Sequence, residues 1–537
     1  MRFLKILLLG LAALLLSDSI DISRFSILVR DCPVSNGQGD NECSIMVISG
    51  RATVDGRPIL WKNRDVTEPN QCFRYVPARA THEGTTYSFI GNFYTNNAYR
   101  CYMGVNETGF AIINANCYNL PDDRKDGLDD GDIMRLALEW CSSVEDWEEL
   151  LAVTSTFGRK DGWMFGAMDA SGAAKLYECG NSSVVAYDAN DSLACPRGYI
   201  IRSVFGLSGW FTTEGLKRYN RVNFKVDKWF ERHRLDVKYI LQYLTRDFSF
   251  AGESNSADDP YPLPYYGYQD NLPKGFVNTF ETINRYKTRS CAVIRGVLPD
   301  EDPHLATTFA MLGQPVASIA VPLWVGAEAV PSALSLGNPV PWYAIIHDRM
   351  GELYPLNVPD SDMFMNTHCL LDTNKTGIYT WSLPTESEAY DEAEQNLIHW
   401  RNEGFSTEQM RTAQNDIFQR IWDVFEPGGE PRIIVAGSDE VSPKITNLHN
   451  YPNPFNSNTV ISFQAPAGTD PRDITVNIYS LLGERVISLK NINFAAGIGN
   501  VVWNGRNTSD EQVAAGVYMY RVESSGFGET GKMIYLK

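Results

Sequence analysis

Residues 42–65, ECSIMVISGRATVDGRPILWKNRD, set a cysteine at the mouth of an apolar run, a turn at Asp55-Gly56, and a second run closing on Lys62, Asn63, Arg64 and Asp65. A thiol attacks as its thiolate, and nearby cations favour that form. If the chain is cut between Glu42 and Cys43, Cys43 also carries a free α-amine. Such an amine titrates close to neutrality and takes the thiol proton directly or through a water. A nucleophile of this kind needs no histidine. None of His82, His233, His304, His347, His368, His399 and His449 stands in a motif that links it to Cys43. A papain-like pair therefore has little support. The alternative role for Cys43 is half of a disulfide, or a buried thiol.

The elements around this stretch decide what can meet. A hairpin turning at Asp55-Gly56 predicts residues 62–65 opposite roughly 46–49, within about 10–20 Å of Cys43 at about 3.4 Å per residue. Strand alternation then sends Lys62 and Arg64 to one face and Asn63 and Asp65 to the other. A cation beside Cys43 favours the thiolate, and Asp65 would orient the α-amine by a charge-assisted hydrogen bond. The competing reading makes these surface charges that close a hairpin. The run SIMVIS, apolar at consecutive positions, is expected to be buried on both faces.

Further strand–turn units follow at TTYSFIGNF and at CYMGVNETGFAIINAN, where Asn106 serves the turn and Asn116 ends the second strand. Residues 132–153 carry Ile133, Leu136, Ala137, Trp140, Val144, Trp147, Leu150 and Leu151, a helical stripe broken near 141–143. Asp169 to Gly172 turn another hairpin in GWMFGAMDASGAAKLYECG, and 214–233 are helical. Strands recur at CAVIRGVL, TTFAMLG and SIAVPLWVGA, before helices at 385–402 and 406–425. This block order predicts an α+β layered sandwich in place of alternating βαβ units. The acidic run PDDRKDGLDDGD (121–132) lacks EF-hand ligand spacing and reads as a solvated turn.

The chain has 537 residues, enough for two or three domains. Its net charge of -18, without a basic cluster, argues against a nucleic-acid partner. Arg2 and Lys5 flank the start of an apolar stretch, Ile6 to Leu16, too short to span a bilayer and suited to a cleaved secretory signal at 1–19. No other run is long and apolar enough for a membrane span in the mature chain. Residues 20–42 read as a propeptide or linker. The ten cysteines fit an oxidising compartment. With Cys32 in the propeptide and Cys43 set aside, Cys72, Cys101, Cys117, Cys141, Cys179, Cys195, Cys291 and Cys369 are compatible with four disulfides. There is no CxxC, HxxH or HExxH, so neither metal nor cofactor is expected. EPGGEPRIIVAGSDEVSPK (426–444) reads as a linker, assigned to 429–446, between a catalytic domain at 43–428 and a last domain at 447–537. That last segment has short strands at regular spacing and predicts a small all-β sandwich.

CSIMVISGRATVDGRPILWKNRD, followed by GVNETGFAIINAN and WMFGAMDASGAAKLYECG, resembles the cysteine N-terminal-nucleophile hydrolases. The likeness is to the acyl-coenzyme A:6-aminopenicillanic acid acyltransferase (penicillin acyltransferase) family, with choloylglycine hydrolases as relatives, over roughly 43–370. It implies an αββα four-layer fold, self-cleavage before Cys43, and attack on a linear amide or thioester through an acyl-enzyme. Carried over by motif, Cys43 is the nucleophile, and Lys62 and Asp65 take the places of an Arg-x-x-Asp that ends the second strand. Asn116 takes that of an asparagine on the oxyanion side, and Arg218 that of a late arginine. Two departures stand out. The lysine at 62 keeps the charge but loses the planar fork. Ser203 and Val204 stand where the family carries an asparagine, a donor of the kind worth about 10²–10³ in rate.

The closing NYPNPFNSNTVISFQAP, GVYMYRV and KMIYLK resemble the type A sorting domain of the bacterial type IX secretion system. This implies an immunoglobulin-like sandwich, that machinery as partner, and export through the periplasm to the surface or medium of a Gram-negative bacterium. The expected function is a secreted, self-processing hydrolase or acyltransferase acting on a small amide or acyl substrate. One alternative is a secreted dipeptidase of a related cysteine family, told apart by dipeptide turnover. The other is an inactive surface binding protein on the same fold, told apart by an uncut Glu42–Cys43 bond.

Overall fold

The computed structural model describes residues 22–31, 42–97, 99–121, 127–233, 235–249, 275–355, 363–370, 377–426, 445–465, 474–480, 485–490, 492–495, 498–524 and 527–536. The expected signal segment and residues 429–444 of the expected linker lie outside these. The chain divides into two compact units, 1–433 and 434–537, each with its own apolar core.

In the first unit, helix α1 (Ile22–Asp31) precedes strands β1 (Ser44–Ile48), β2 (Ile59–Asp65), β3 (Gln71–Val76), β4 (Phe89–Tyr94), β5 (Met103–Asn106) and β6 (Ala111–Asn116). Helices α2 (Asp130–Trp140) and α3 (Val144–Phe157) follow, then β7 (Trp163–Met168), β8 (Ala174–Cys179), β9 (Val184–Asp188) and β10 (Tyr199–Arg202). After α4 (Leu216–Phe230) come β11 (Thr288–Arg295), β12 (Thr307–Leu312), β13 (Val321–Trp324), α5 (Pro341–Leu353), α6 (Tyr379–Glu403) and α7 (Thr407–Phe425).

These strands form a six-stranded sheet, β10-β1-β2-β11-β12-β13, and a seven-stranded one, β9-β8-β7-β6-β5-β4-β3. Strand β1 is central and every residue of it is buried, as its unbroken apolar run demands. It packs on β6, β7 and β8 of the other sheet. Gly166 permits the close approach, because a Cβ there would lie 2.7 Å from Val47 Cγ2. Helix α2 packs on β5 and β6, and α3 seats Trp147 edge-on against Phe165 and Tyr177. Helices α6 and α7 pack on each other and on β13. Pro322 sits in β13, an edge strand, where the missing N–H costs least.

The stripe at 132–153 breaks at 141–143 as expected, giving two helices, since Cys141 turns extended and Ser143 caps the second by accepting from Asp146 N at 3.1 Å. Several other expectations are corrected. Helix α6 begins at Tyr379, and Pro384 sits within its first turns. Residues 22–31 of the expected propeptide form α1, whose Phe25, Leu28 and Val29 are buried and which packs on α3. The acidic run is not a solvated turn: Asp129, Asp130 and Asp132 are buried. Arg100 sits 3.4 Å from Asp129 and 3.3 Å from Asp132, and Asn114 donates to Asp130. Nor is there a disulfide among the described residues. Cys43 and the eight cysteines named above all stand outside any disulfide, most of them buried as small apolar side chains.

The second unit holds two four-stranded antiparallel sheets. One orders Thr446–Tyr451, Thr459–Gln464, Ile498–Trp503 and Asn493–Ala495; the other Arg485–Leu489, Thr475–Ser480, Gly516–Ser524 and Phe527–Tyr535. Trp503, Phe455 and Tyr535 meet in its core. Because each unit has its own core, a chain truncated after Pro427 is expected to keep the thermal midpoint of the first unit. A calorimetric midpoint lowered by several degrees would show that the two share stabilising contacts.

Candidate active site

The hairpin's register is the first surprise. Ser44 pairs with Asn63 and Ile45 with Lys62, and Glu42 N donates to Asp65 O at 2.9 Å. Residues 62–65 thus stand opposite 42–45, not 46–49, and Cys43 lies across from Arg64. The cause is the connection. A 3₁₀ turn at Gly50–Ala52 takes up chain on the β1 side, and Val54 N bonds Leu235 O at 3.0 Å, displacing the hairpin's midpoint from Asp55-Gly56.

Alternation puts Cys43, Ile45, Lys62 and Arg64 on the face that meets the second sheet. Lys62 is wholly buried there, donating to Tyr102 O at 2.9 Å and to Asn114 Oδ1. Asn114 in turn donates to Asp130. Burial pulls Lys62 down to about 8; the Cys43 thiol and Asp130 oppose this and Arg64 adds to it. Asp130 is raised well above the carboxylate range, by burial and by Asp129, with Lys62 opposing. The Arg64 guanidinium lies 4.0 Å from the Tyr102 ring centroid and 4.6 Å from that of Tyr94, and it donates to Gln71 Oε1 at 3.2 Å. The reading of Lys62, Arg64 and Asp65 as surface charges closing a hairpin is therefore overturned, for all three are buried.

On the other face, Asp65 accepts from Thr288 Oγ1 at 2.7 Å and Arg218 Nη1 at 3.1 Å, with Arg285 Nη1 at 3.7 Å. Arg218, in the first turn of α4, also donates to the carbonyl oxygen of Glu42, the acyl oxygen of the Glu42–Cys43 bond. Arg285 pairs with the Glu42 carboxylate, and Lys287 Nζ lies 3.9 Å from it. Burial raises the Asp65 carboxyl above its ordinary range, and Arg285 and Arg218 oppose it. Burial also acts to raise Glu42, but Arg285, Arg218 and Lys287 together prevail and hold it low.

Asn116 ends β6 on the same face as Asn114, and its Oδ1 is buried with no hydrogen-bond partner among the described residues. Tyr118 N donates to Val204 O at 2.9 Å, which ties the end of that strand to the chain flanking Cys43, since Arg202 pairs with Ile45. Ser203 faces the opposite way, with its buried Oγ against Gly215 at the start of α4, where a Cβ would lie 2.8 Å away. Asn106 serves its turn, accepting from Thr108 N and Phe110 N at 3.1 Å each.

Cys43, Lys62, Asp65 and Arg218 thus gather at one place, with the strand end of Asn116 beside it. Arg285, Thr288, Asn114 and Asp130 were not anticipated. Asp130 stood in an acidic run whose charge masked its burial, and Arg285 and Thr288 carry no motif.

Residues 52–244 match the family model of acyl-coenzyme A:6-aminopenicillanic acid acyl-transferase, and residues 449–536 that of the secretion system C-terminal sorting domain. No curated protein matches the chain in sequence. Among solved structures, a mutant conjugated bile acid hydrolase from Clostridium perfringens is 14% identical over 50% of this chain and 89% of its own, with a TM-score of 0.30. Penicillin V acylase from Agrobacterium tumefaciens is 14% identical over 52% and 86%, with a TM-score of 0.29. PorZ, a surface component of the type-IX secretion system of Porphyromonas gingivalis, is 22% identical over 17% of this chain and 12% of its own, with a TM-score of 0.13. None of the described helices is long and apolar enough to cross a membrane. Residues 52–244 are thus similar to the acyl-coenzyme A:6-aminopenicillanic acid acyl-transferase family, and residues 449–536 are a secretion system C-terminal sorting domain that addresses the chain to the cell surface or to secretion.

Proposed function

We propose that this chain is an exported cysteine amidohydrolase that frees its own nucleophile by cutting the Glu42–Cys43 bond and then cleaves linear amides through a Cys43 acyl-enzyme. The observation that carries this reading is the Glu42 carbonyl held on the Arg218 guanidinium, directly before a buried cysteine. A cation on that oxygen stabilises the charge that develops as the carbonyl becomes tetrahedral. In the first step Sγ bonds to the Glu42 carbonyl carbon and the bond to the Cys43 nitrogen breaks. The thiol proton passes to that nitrogen, which becomes the α-amine. Water then cleaves the thioester, leaving Glu42 as a carboxylate and restoring the thiol. In the processed protein the α-amine takes the thiol proton, an amide transfers its acyl group to Sγ, and water or an amine accepts it. The two sheets, with α2 and α3 on one and α6 and α7 on the other, support an αββα reading of the layers.

Before processing there is no α-amine at Cys43, so another group must take the thiol proton. Lys62 shares the thiol's face, and at about 8 it is neutral in about a tenth of molecules at pH 7. An arginine there would stay protonated, so the departure from the family pattern at 62 supplies a base. Processing should accelerate as pH rises through that value, because the neutral amine gains population. Lys62→Arg should slow it about 10²-fold, the lower range for a lost general base. If the variant processes at the normal rate in a pulse–chase gel assay, Lys62 contributes only its charge.

The direct test of the function is N-terminal sequencing of the secreted chain with a screen of acyl anilides. A start at Cys43 together with anilide hydrolysis supports the reading. Uncut protein with no turnover sinks it and favours the binding-protein alternative.

A further inference from the structure

The self-cleavage site also describes its own first acyl group. When Cys43 attacks, the acyl carried on Sγ is that of Glu42, whose carboxylate is separated from the acyl carbonyl by Cα, Cβ and Cγ. That carboxylate is the hydrogen-bond partner of Arg285 Nη1, whereas Arg285 stands 3.7 Å from Asp65, beyond hydrogen-bond distance. Lys287 Nζ flanks the same carboxylate at 3.9 Å. The Arg285 guanidinium carbon lies 5.4 Å from the Phe280 ring centroid and 5.9 Å from that of Tyr286, and Lys287 Nζ lies 5.8 Å from the Tyr286 ring. Aromatic walls of this kind restrict where the cationic groups can point.

Cleavage removes Glu42 and leaves these cations in place. Asp65 then faces Arg218 and Arg285, which are 3% and 1% exposed, with Lys287 beside them. Buried guanidiniums short of a partner carry a desolvation cost that an incoming anion relieves. A substrate acyl group bonded to the same Sγ extends through the space that Glu42 occupied.

We propose that the processed site selects acyl groups bearing a second carboxylate at the glutaryl spacing, with Arg285 as the specificity-determining residue and Lys287 assisting. This rests on the amidase reading above and names its substrate class: monoamides of short dicarboxylic acids, including α-glutamyl amides.

The test compares glutaryl-p-nitroanilide with pentanoyl-p-nitroanilide, which match in acyl length and differ in the terminal carboxylate, on the secreted, processed chain. The expected kcat/KM ratio is about tenfold to a hundredfold in favour of glutaryl, the range for a hydrogen bond to a charged group. Arg285→Gln should bring that ratio towards one. Equal turnover of the two anilides by the unaltered protein overturns the inference and leaves the amidase reading intact. A second measurement does not depend on turnover: protection of Cys43 from iodoacetamide by glutaramate against pentanamide. Stronger protection by glutaramate supports the anion site even if neither anilide is cleaved, in which case only the amidase reading fails. Equal protection counts against the anion site, and a chain still joined at Glu42–Cys43 overturns both proposals.

Discussion

Replacing Cys43 with alanine is expected to leave the bond after Glu42 intact and to reduce amide turnover to background. The attack needs an electron pair at the position of Sγ, which an alanine side chain does not supply. Intact mass would read the result directly, as a chain that still carries residues 20–42. Folding should survive, because the lost sulfur sits at the entrance of β1, where Ser44 to Ile48 keep their pairing with β2 and Ile45 to Ile48 theirs with β10. A void of one sulfur atom costs on the order of 1 kcal/mol. Cys43→Ser, which keeps a weaker nucleophile, should process slowly and not at zero rate. If Cys43→Ala is still cut after Glu42, the cleavage is the work of another protease, and self-processing is wrong.

Arg218→Met should slow processing by about 10²–10³, the usual loss when one oxyanion donor is removed. It should also destabilise the fold, by about 3–5 kcal/mol if Asp65 behaves as a buried charge that has lost a partner. The pH dependence carries a definite sign. Burial already raises the Asp65 carboxyl, and loss of the cation that opposes this raises it further. Between the ordinary carboxyl range and that raised value, the native state binds more protons than the unfolded chain. The variant should therefore lose stability as pH rises through that window. Urea midpoints across mildly acidic to neutral pH would measure this. A flat profile, with processing unchanged, would leave Arg218 as a structural ion-pair partner of Asp65 and remove it from the chemistry.

The loop and turn chemistry was legible in the sequence because it is local. Asn106 and Asp169 terminate strands through bonds to residues two to four positions on, which any chain of that composition can form. The breaks in the helical stripe follow from Ser143 as a cap in the same way. Burial of β1 was equally plain, for a strand with no polar alternation must be covered on both sides.

The sequence by itself determined which side chains can react and which strands carry them: a cysteine at the mouth of a central strand, with Lys62 and Arg64 on one face of the next and Asn63 and Asp65 on the other. The tertiary structure alone decided who meets whom. A ten-residue connection reads as a simple hairpin until its 3₁₀ turn shifts the register, and that shift brings Arg64 across from Cys43. Arg218 reaches the Glu42 carbonyl across 176 residues, and Arg285 reaches its carboxylate across 243. Ion pairs at such separations leave no periodicity or spacing to read. They form because several charges, each too costly to bury alone, are driven into one dry place by the packing of the sheet and the helix around them.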